Sequence, residues 1–193
     1  SNPFENSSAA NSSENTHPAN TALTLFYSYS HKDEALRDRL NTHLALLQRL
    51  SIIAAWHEHS VERSLRDITA GTDWANAIDT HLNTADIILL LISADFLASD
   101  YCYEKEMMRA IARHENQEAR VIPIILRPCD WTSAPFGKLQ ALPIVHGAGA
   151  KAVTTWSNQD EAFSAFSAKR NSEGTAQGIR KAAREIQEKK SQS

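Results

Sequence analysis

The stretch Asp86-Ile-Ile-Leu-Leu-Leu-Ile-Ser-Ala-Asp-Phe-Leu-Ala-Ser-Asp-Tyr-Cys-Tyr-Glu-Lys-Glu-Met-Met-Arg-Ala-Ile-Ala-Arg-His114 decides the fold class. Ile87 to Ile92 is an unbroken apolar run, short enough for a strand and too short for a membrane span. Such a run suits a central parallel strand covered on both faces. Ser93 ends it, a polar turn follows, and a helix opens with carboxylates. In an α/β domain the loop at the carboxyl end of such a strand borders the ligand crevice.

Working towards the amino terminus, Asp86 is preceded by Trp74, Ile78 and Leu82, which place a helix on one face. Leu23 to Tyr29 reads as the first strand. Ser30 is placed as a helix N-cap, with Asp33 and Glu34 in the first turn, where carboxylates suit the helix dipole. Leu36, Leu40, Leu44 and Leu47 carry that helix to about Arg49, and Ile52 to Trp56 forms a short second strand. His57 to Ala70 is polar and aperiodic, so it is read as a long loop, a feature usually functional or mobile.

Beyond His114, Val121 to Leu126 is a further apolar run, in which Pro123 argues for a strand start, a bulge or an edge. The segment from Arg127 to Gly149 is read as irregular, and Ala152 to Trp156 as a short fifth strand. Ser157 with Asp160 resembles a capping pair, and an amphipathic segment runs from Gln177 to Lys190. Alternating strands and helices imply a flavodoxin-like α/β fold. It has a five-stranded parallel sheet of order 2-1-3-4-5 with helices on both faces. The switch point then lies beyond Tyr29 and Ser93. Residues 1–22, rich in Ser, Asn and Ala, read as a disordered tail or linker, 23–190 as one domain, and 191–193 as a short tail.

Composition excludes several classes of function. The 193 residues carry a formal net charge of -3, with no basic excess to hold nucleic acid. Cys102 and Cys129 make neither a disulfide framework nor a zinc pattern. No apolar run reaches membrane-spanning length and no signal-peptide h-region is visible, so a cytoplasmic protein without membrane partners is expected. G-x-G-x-x-G and G-x-x-x-x-G-K-[ST] are both absent. His57 and His59 lack the further Cys or His ligands of a metal site, so none is expected. Cys102 has no assigned His base and reads as a small buried residue. In the third helix, Tyr103, Met107, Ala110 and Ile111 share a face. At 100° per residue Glu104 and Glu106 fall at its opposite edges. Periodicity leaves both open, and acids early in a helix ordinarily serve the dipole.

Four pieces of sequence together resemble a TIR (Toll/interleukin-1 receptor) domain of the bacterial type. They are Phe26-Tyr-Ser-Tyr-Ser-His-Lys-Asp33, Trp56-His57, Ile68-Thr-Ala-Gly-Thr-Asp-Trp74, and Ser93-Ala-Asp-Phe-Leu-Ala-Ser-Asp-Tyr-Cys-Tyr-Glu-Lys-Glu-Met107. The likeness covers roughly Leu23 to Trp156. It implies cleavage of NAD+ at the nicotinamide–ribose bond, with NAD+ as substrate and no cofactor. It also implies self-association with other TIR domains, in signalling or antiphage defence. The family's catalytic glutamate matches Lys105-Glu106-Met107 best. Glu104 is the alternative, because the spacing from Tyr101-Cys102 is one residue longer than in the plant pattern. The resemblance also implies substrate contacts from Tyr29, Ser30, His31, Trp74, Ser93 and Cys102, with Trp74 near the nicotinamide. The interaction loop would contain His57, Glu58, Asp67 and Gly71. A non-catalytic TIR interaction module is the competing expectation. A receiver-like domain would want an acidic cluster after strand one, which Tyr29-Ser30-His31 does not supply.

Overall fold

The structure is a computed structural model that describes residues 21–55, 72–164 and 171–193; for 72–77 only the helical backbone is described. The expected N-terminal tail, but for its last two residues, and the loop His57 to Ala70 lie outside the described residues.

The main sheet contains β1 (Leu23–Ser28), β2 (Ile53–Ala55), β3 (Ile87–Ile92) and β4 (Arg120–Ile125). Their order is β2-β1-β3-β4 and every pairing is parallel. This is the expected flavodoxin-like arrangement with four strands in place of five. All six residues of β3 are buried, as an uninterrupted apolar run predicts. Alternate side chains enter separate cores. Ile87, Leu89 and Leu91 join one cluster, while Ile88, Leu90 and Ile92 join the other. Each such side chain contributes about 1.5–3 kcal/mol on leaving water.

The expected fifth strand is not formed. Residues Val153–Thr155 make a 3-10 turn, tied to the sheet by one bond from the Thr154 amide to the Leu126 carbonyl (3.0 Å). The outer edge of β4 is instead met by a single bridge at Leu142. The Leu142 amide donates to the Pro123 carbonyl and the Ile125 amide donates to the Leu142 carbonyl, both at 2.9 Å. Amide and carbonyl of one strand residue point the same way, so the missing N–H of Pro123 faces this sparsely bonded edge. That is where a sheet tolerates proline.

Helices α1 (Glu34–His43) and α2 (Ala45–Arg49) cover one face through Leu36, Leu40, Leu44 and Leu47. The expected single helix is interrupted at Leu44. The same face receives α6 (Gln159–Phe163) and α7 (Thr175–Ser191). Asn158 caps α6, its side chain accepting from the Asp160 amide at 3.0 Å, so the cap is one residue beyond the expected Ser157. The opposite face is covered by α3 (Thr72–Thr84), α4 (Ala94–Ala98) and α5 (Met108–Glu115). A small antiparallel sheet joins β5 (Ile144–Val145) and β6 (Gly149–Ala150), at the end of the segment read as irregular, to β7 (Ser172–Glu173) just before α7.

Two polar staples hold the amino-terminal end of the sheet. Arg113, 5% exposed, donates through Nη1 to the carbonyls of Leu82 (2.6 Å) and Ala85 (2.9 Å). It thereby satisfies acceptors at the carboxyl end of α3, which a cation suits. Asp86 accepts from the Thr24 amide (2.9 Å) and from Lys190 Nζ (2.9 Å), joining β1, β3 and α7. Burial pushes the Asp86 carboxyl up, but Lys190 and Thr24 outweigh it and hold it below its ordinary value of 3.8.

Arg113→Ala orphans the carbonyls of Leu82, Ala85 and Glu118 and is expected to cost about 3 kcal/mol, read as a lower urea midpoint. The exposed Lys138–Glu115 pair at 3.9 Å should cost under about 0.5 kcal/mol when broken. A depressed carboxyl stabilises the fold above its unfolded pKa and loses that contribution as pH falls through its folded pKa. Stability of the wild type should therefore fall more steeply below pH 3.8 than that of Asp86→Asn, as followed by acid titration of the melting temperature.

Candidate active site

The chain leaves β1 and β3 in opposite directions. After β1 it enters α1 on one face, and after β3 it enters α4 and α5 on the other. Neighbouring strands with diverging exits leave a crevice at their carboxyl ends. A cavity of about 330 Å³ occupies it, lined by Tyr29, Ser30, His31, Ser99, Tyr101, Cys102 and Glu106. That volume is in the range of small-molecule sites.

Glu106 is 5% exposed and Glu104 is exposed, so burial separates two residues that helical spacing could not. The cause is local. Tyr101–Met107 is a π-helical turn, not the α-helix that a 100° step assumes. Its bonds run i→i+5, so the step falls to roughly 80° per residue. Residues four and five beyond Cys102 then lie on either side of it, and Cys102, Glu106 and Met107 are buried together. In a regular α-helix, Met107 would point well away from Cys102. The turn is anchored by Met107, which is fully buried in the same core as Phe26, Ile88 and Leu90.

The other expected site residues fall into three groups. Tyr29, Ser30, His31 and Cys102 line the cavity. The Tyr29 ring lies 4.9 Å from the guanidinium of buried Arg37, a cation–π support that sequence reasoning missed. Ser30 caps the 3-10 turn His31–Asp33, accepting from the Lys32 amide at 3.4 Å. The Cys102 thiol donates to the Tyr29 carbonyl at 3.4 Å and so ties the π-helical turn to the end of β1. Ser93 is fully buried and is not among the lining residues. Its hydroxyl accepts from the Phe96 amide (3.1 Å) as the cap of α4 and donates to Asp33. Trp74 lies in α3, and its side chain is outside the described residues. His57, Glu58, Asp67 and Gly71 lie outside them entirely.

Ser99 and Tyr101 were not singled out from sequence, although they belong to the loop after β3 that the switch-point rule marks. Asp33 was read only as a first-turn acid. It is fully buried and bonds Ser93 and Arg127 Nε, the latter at 2.9 Å. One carboxylate thus joins the exits of β1, β3 and β4. At the opposite end of the sheet, a larger groove of about 430 Å³ is lined by Asp86, His114, Arg120, Glu185 and Lys190 among others. Arg120 pairs there with Glu185 (3.0 Å) and Lys190 with Asp86 (2.9 Å), while Lys189 donates to the neutral Gln117 side chain (3.3 Å). Among the described residues no group of three or more His, Cys, Asp or Glu is placed to hold a metal, and no helix is long and apolar enough to cross a membrane.

A family model described as "TIR domain" matches residues 25–155. The chain belongs to the TIR domain family. The uncharacterised protein y4lF of Sinorhizobium fredii (strain NBRC 101917 / NGR234) is 55% identical over 140 residues, which is 72% of this chain and 40% of that protein. This TIR domain chain therefore spans well under half the length of that relative. The crystal structure of the TIR domain of the Toll-related receptor TRR-2 from Hydra magnipapillata aligns with 22% identity and a TM-score of 0.43. That alignment covers 61% of this chain and 81% of the other.

The thiols of this TIR domain provide a check on the site's geometry. Burial, then the charges of Asp130 and Asp33, push the Cys129 thiol above its ordinary 9.0, and Cys102 is only 5% exposed. Both should alkylate slowly at pH 7, Cys129 because the thiolate is the nucleophile and Cys102 because reagent cannot reach it. Half-buried Cys129 should be labelled first, with its rate climbing only above pH 9, as read by peptide mass spectrometry.

Proposed function

We propose that this TIR domain cleaves NAD+ at the nicotinamide–ribose bond, with Glu106 as the catalytic carboxylate. The observation that carries this reading is a buried glutamate on the wall of a switch-point cavity. Two tyrosines share that wall, and among the described residues no lysine or arginine lines it. Such a wall suits a ligand portion that is cationic and rich in hydroxyls. The ribosyl-pyridinium end of NAD+ is both.

The reaction needs no electron carrier. The bond between ribose C1′ and the pyridinium nitrogen breaks, its electron pair goes to that nitrogen, and nicotinamide leaves neutral. The positive charge left on the ribose is oxocarbenium-like, and a carboxylate beneath it stabilises the transition state more than the ground state. Water then adds to C1′ and releases a proton, giving ADP-ribose; capture by a ring nitrogen of the adenine gives a cyclised product instead. One preorganised electrostatic group of this kind supplies about 3 kcal/mol, or two to three decades of rate. Tyr29, seated on Arg37, borders the ribose, and Cys102 keeps the π-helical turn against β1.

Self-association is part of the proposal. Leu46 on α2 and Leu50 at its carboxyl-terminal cap, one turn apart, are 57% and 53% exposed, an apolar pair that contact with another TIR domain would cover. Activity is accordingly expected to rise with protein concentration or tethering. If the chain serves only as an interaction module, association will persist without any cleavage.

Free nicotinamide released from NAD+ is the decisive measurement. Wild type and Glu104→Ala should release it alike, and Glu106→Gln should fall by at least about a hundredfold with its melting temperature little changed. Equal release from wild type and Glu106→Gln would remove Glu106 from the chemistry. Silence from all three proteins under crowding would leave the interaction module as the function.

A further inference from the structure

The cavity around Glu106 is suited to a cation, yet a dinucleotide also carries a diphosphate. Ser30 and His31 supply no permanent cation at the end of β1. Lys32, next along, pairs with Asp95 at 3.2 Å. Arg127, just beyond β4, is held differently. Its Nε donates to Asp33 Oδ1 at 2.9 Å, and its side chain remains 47% exposed. Among the described residues its two terminal Nη groups donate to no acceptor. An arginine gripped from the side by a fully buried carboxylate presents both Nη groups outward in a fixed plane. That planar fork matches two oxygens of a phosphate.

The position suits the same ligand. His31 lines the Glu106 cavity, and Asp33, which holds Arg127, is two residues further on, at most about 7 Å of chain. We propose that Arg127, oriented by Asp33, binds the diphosphate of the dinucleotide whose ribosyl-nicotinamide end occupies the Glu106 cavity. This rests on the reading of that cavity as the NAD+ cleavage site. It assigns the anionic half of the substrate to a residue on a different strand exit from the reacting half. Asp33 is a positioning residue, acting through the guanidinium it holds.

ADP-ribose and nicotinamide riboside separate the two halves, since the first carries both phosphates and the second none. Binding of each is measured by titration calorimetry to wild type, Arg127→Gln, and the charge-neutral double variant Asp33→Asn/Arg127→Gln. The double variant removes the buried unpaired carboxylate that threatens folding of the single one, and melting temperatures confirm that the proteins are folded. Arg127→Gln and the double variant should lose roughly ten- to a hundredfold in ADP-ribose affinity, the factor of a lost charge-assisted contact. Nicotinamide riboside affinity should stay unchanged. In the cleavage assay KM for NAD+ should rise with kcat little altered.

Three results would overturn the proposal: equal ADP-ribose affinity in all three proteins, equal losses for both ligands, or no binding of ADP-ribose to wild type. Its failure is distinct from failure of the cleavage reading. Should no protein release nicotinamide while ADP-ribose binding still depends on Arg127, the anion seat stands and the enzymatic role falls.

Discussion

Strand β3 has no water on either face and a bonded strand on each edge. That constraint organises the molecule. A strand so placed has to be apolar throughout, and a single ionised side chain within it would be costly unless paired. Polar chemistry is therefore displaced to its two ends. The amino-terminal end is closed by ion pairs and by Arg113 on the α3 carbonyls, so most of the charges lining its groove are already matched. The carboxyl-terminal end stays open, because α1 departs to one face and α4 to the other. The crevice follows from the strand order and from the direction in which each exit turns.

The parts of this fold that were legible in the sequence are those set by local periodicity. The apolar hexapeptide of β3, the leucine stripe of α1 and α2, and Pro123 at a weakly bonded edge each follow from one physical rule applied over a few residues. The fifth strand was misread because Ala152 to Trp156 has a strand-like composition, with Val153, Thr154 and Thr155 in a row. Forming a strand also requires a partner edge in register, and Leu142 already bridges to β4. The segment makes one backbone bond to Leu126 and then coils. Composition describes what a segment tolerates, whereas pairing is decided by what else reaches the same edge.

The candidate site was legible in its location but less so in its residues. The switch-point rule placed it beyond Tyr29 and Ser93, and the cavity lies beyond both strands. Within it, the choice between Glu104 and Glu106 escaped helical periodicity because the turn that carries them is not α-helical. A wheel drawn at 100° spreads the two acids to opposite edges, while i→i+5 bonding brings Glu106 and Met107 inward together. Ser93 was legible as the end of β3, but its hydroxyl is directed to Asp33, 60 residues away in sequence. Asp33 and Arg127 are 94 residues apart. Nothing local in either stretch marks that contact.

The two acids at this end of the sheet sit in different surroundings, and that difference sets a polarity. Asp33 is fully buried and its charge is met by Arg127 and the Ser93 hydroxyl, so it is committed to holding three strand exits together. Glu106 is buried on a cavity wall whose described residues include neither lysine nor arginine. A dinucleotide has the opposite distribution, one cationic ring and a diphosphate separated by a ribose. Laying it with the ring at Glu106 and the phosphates towards Arg127 pairs unlike charges at both ends. The reversed orientation brings phosphate against a buried carboxylate, a like-charge contact that weakens only slowly with distance where water is excluded. On this reading the direction of substrate entry is set by charge before any hydrogen bond forms, and the bond to be broken arrives over the carboxylate that can stabilise its breaking.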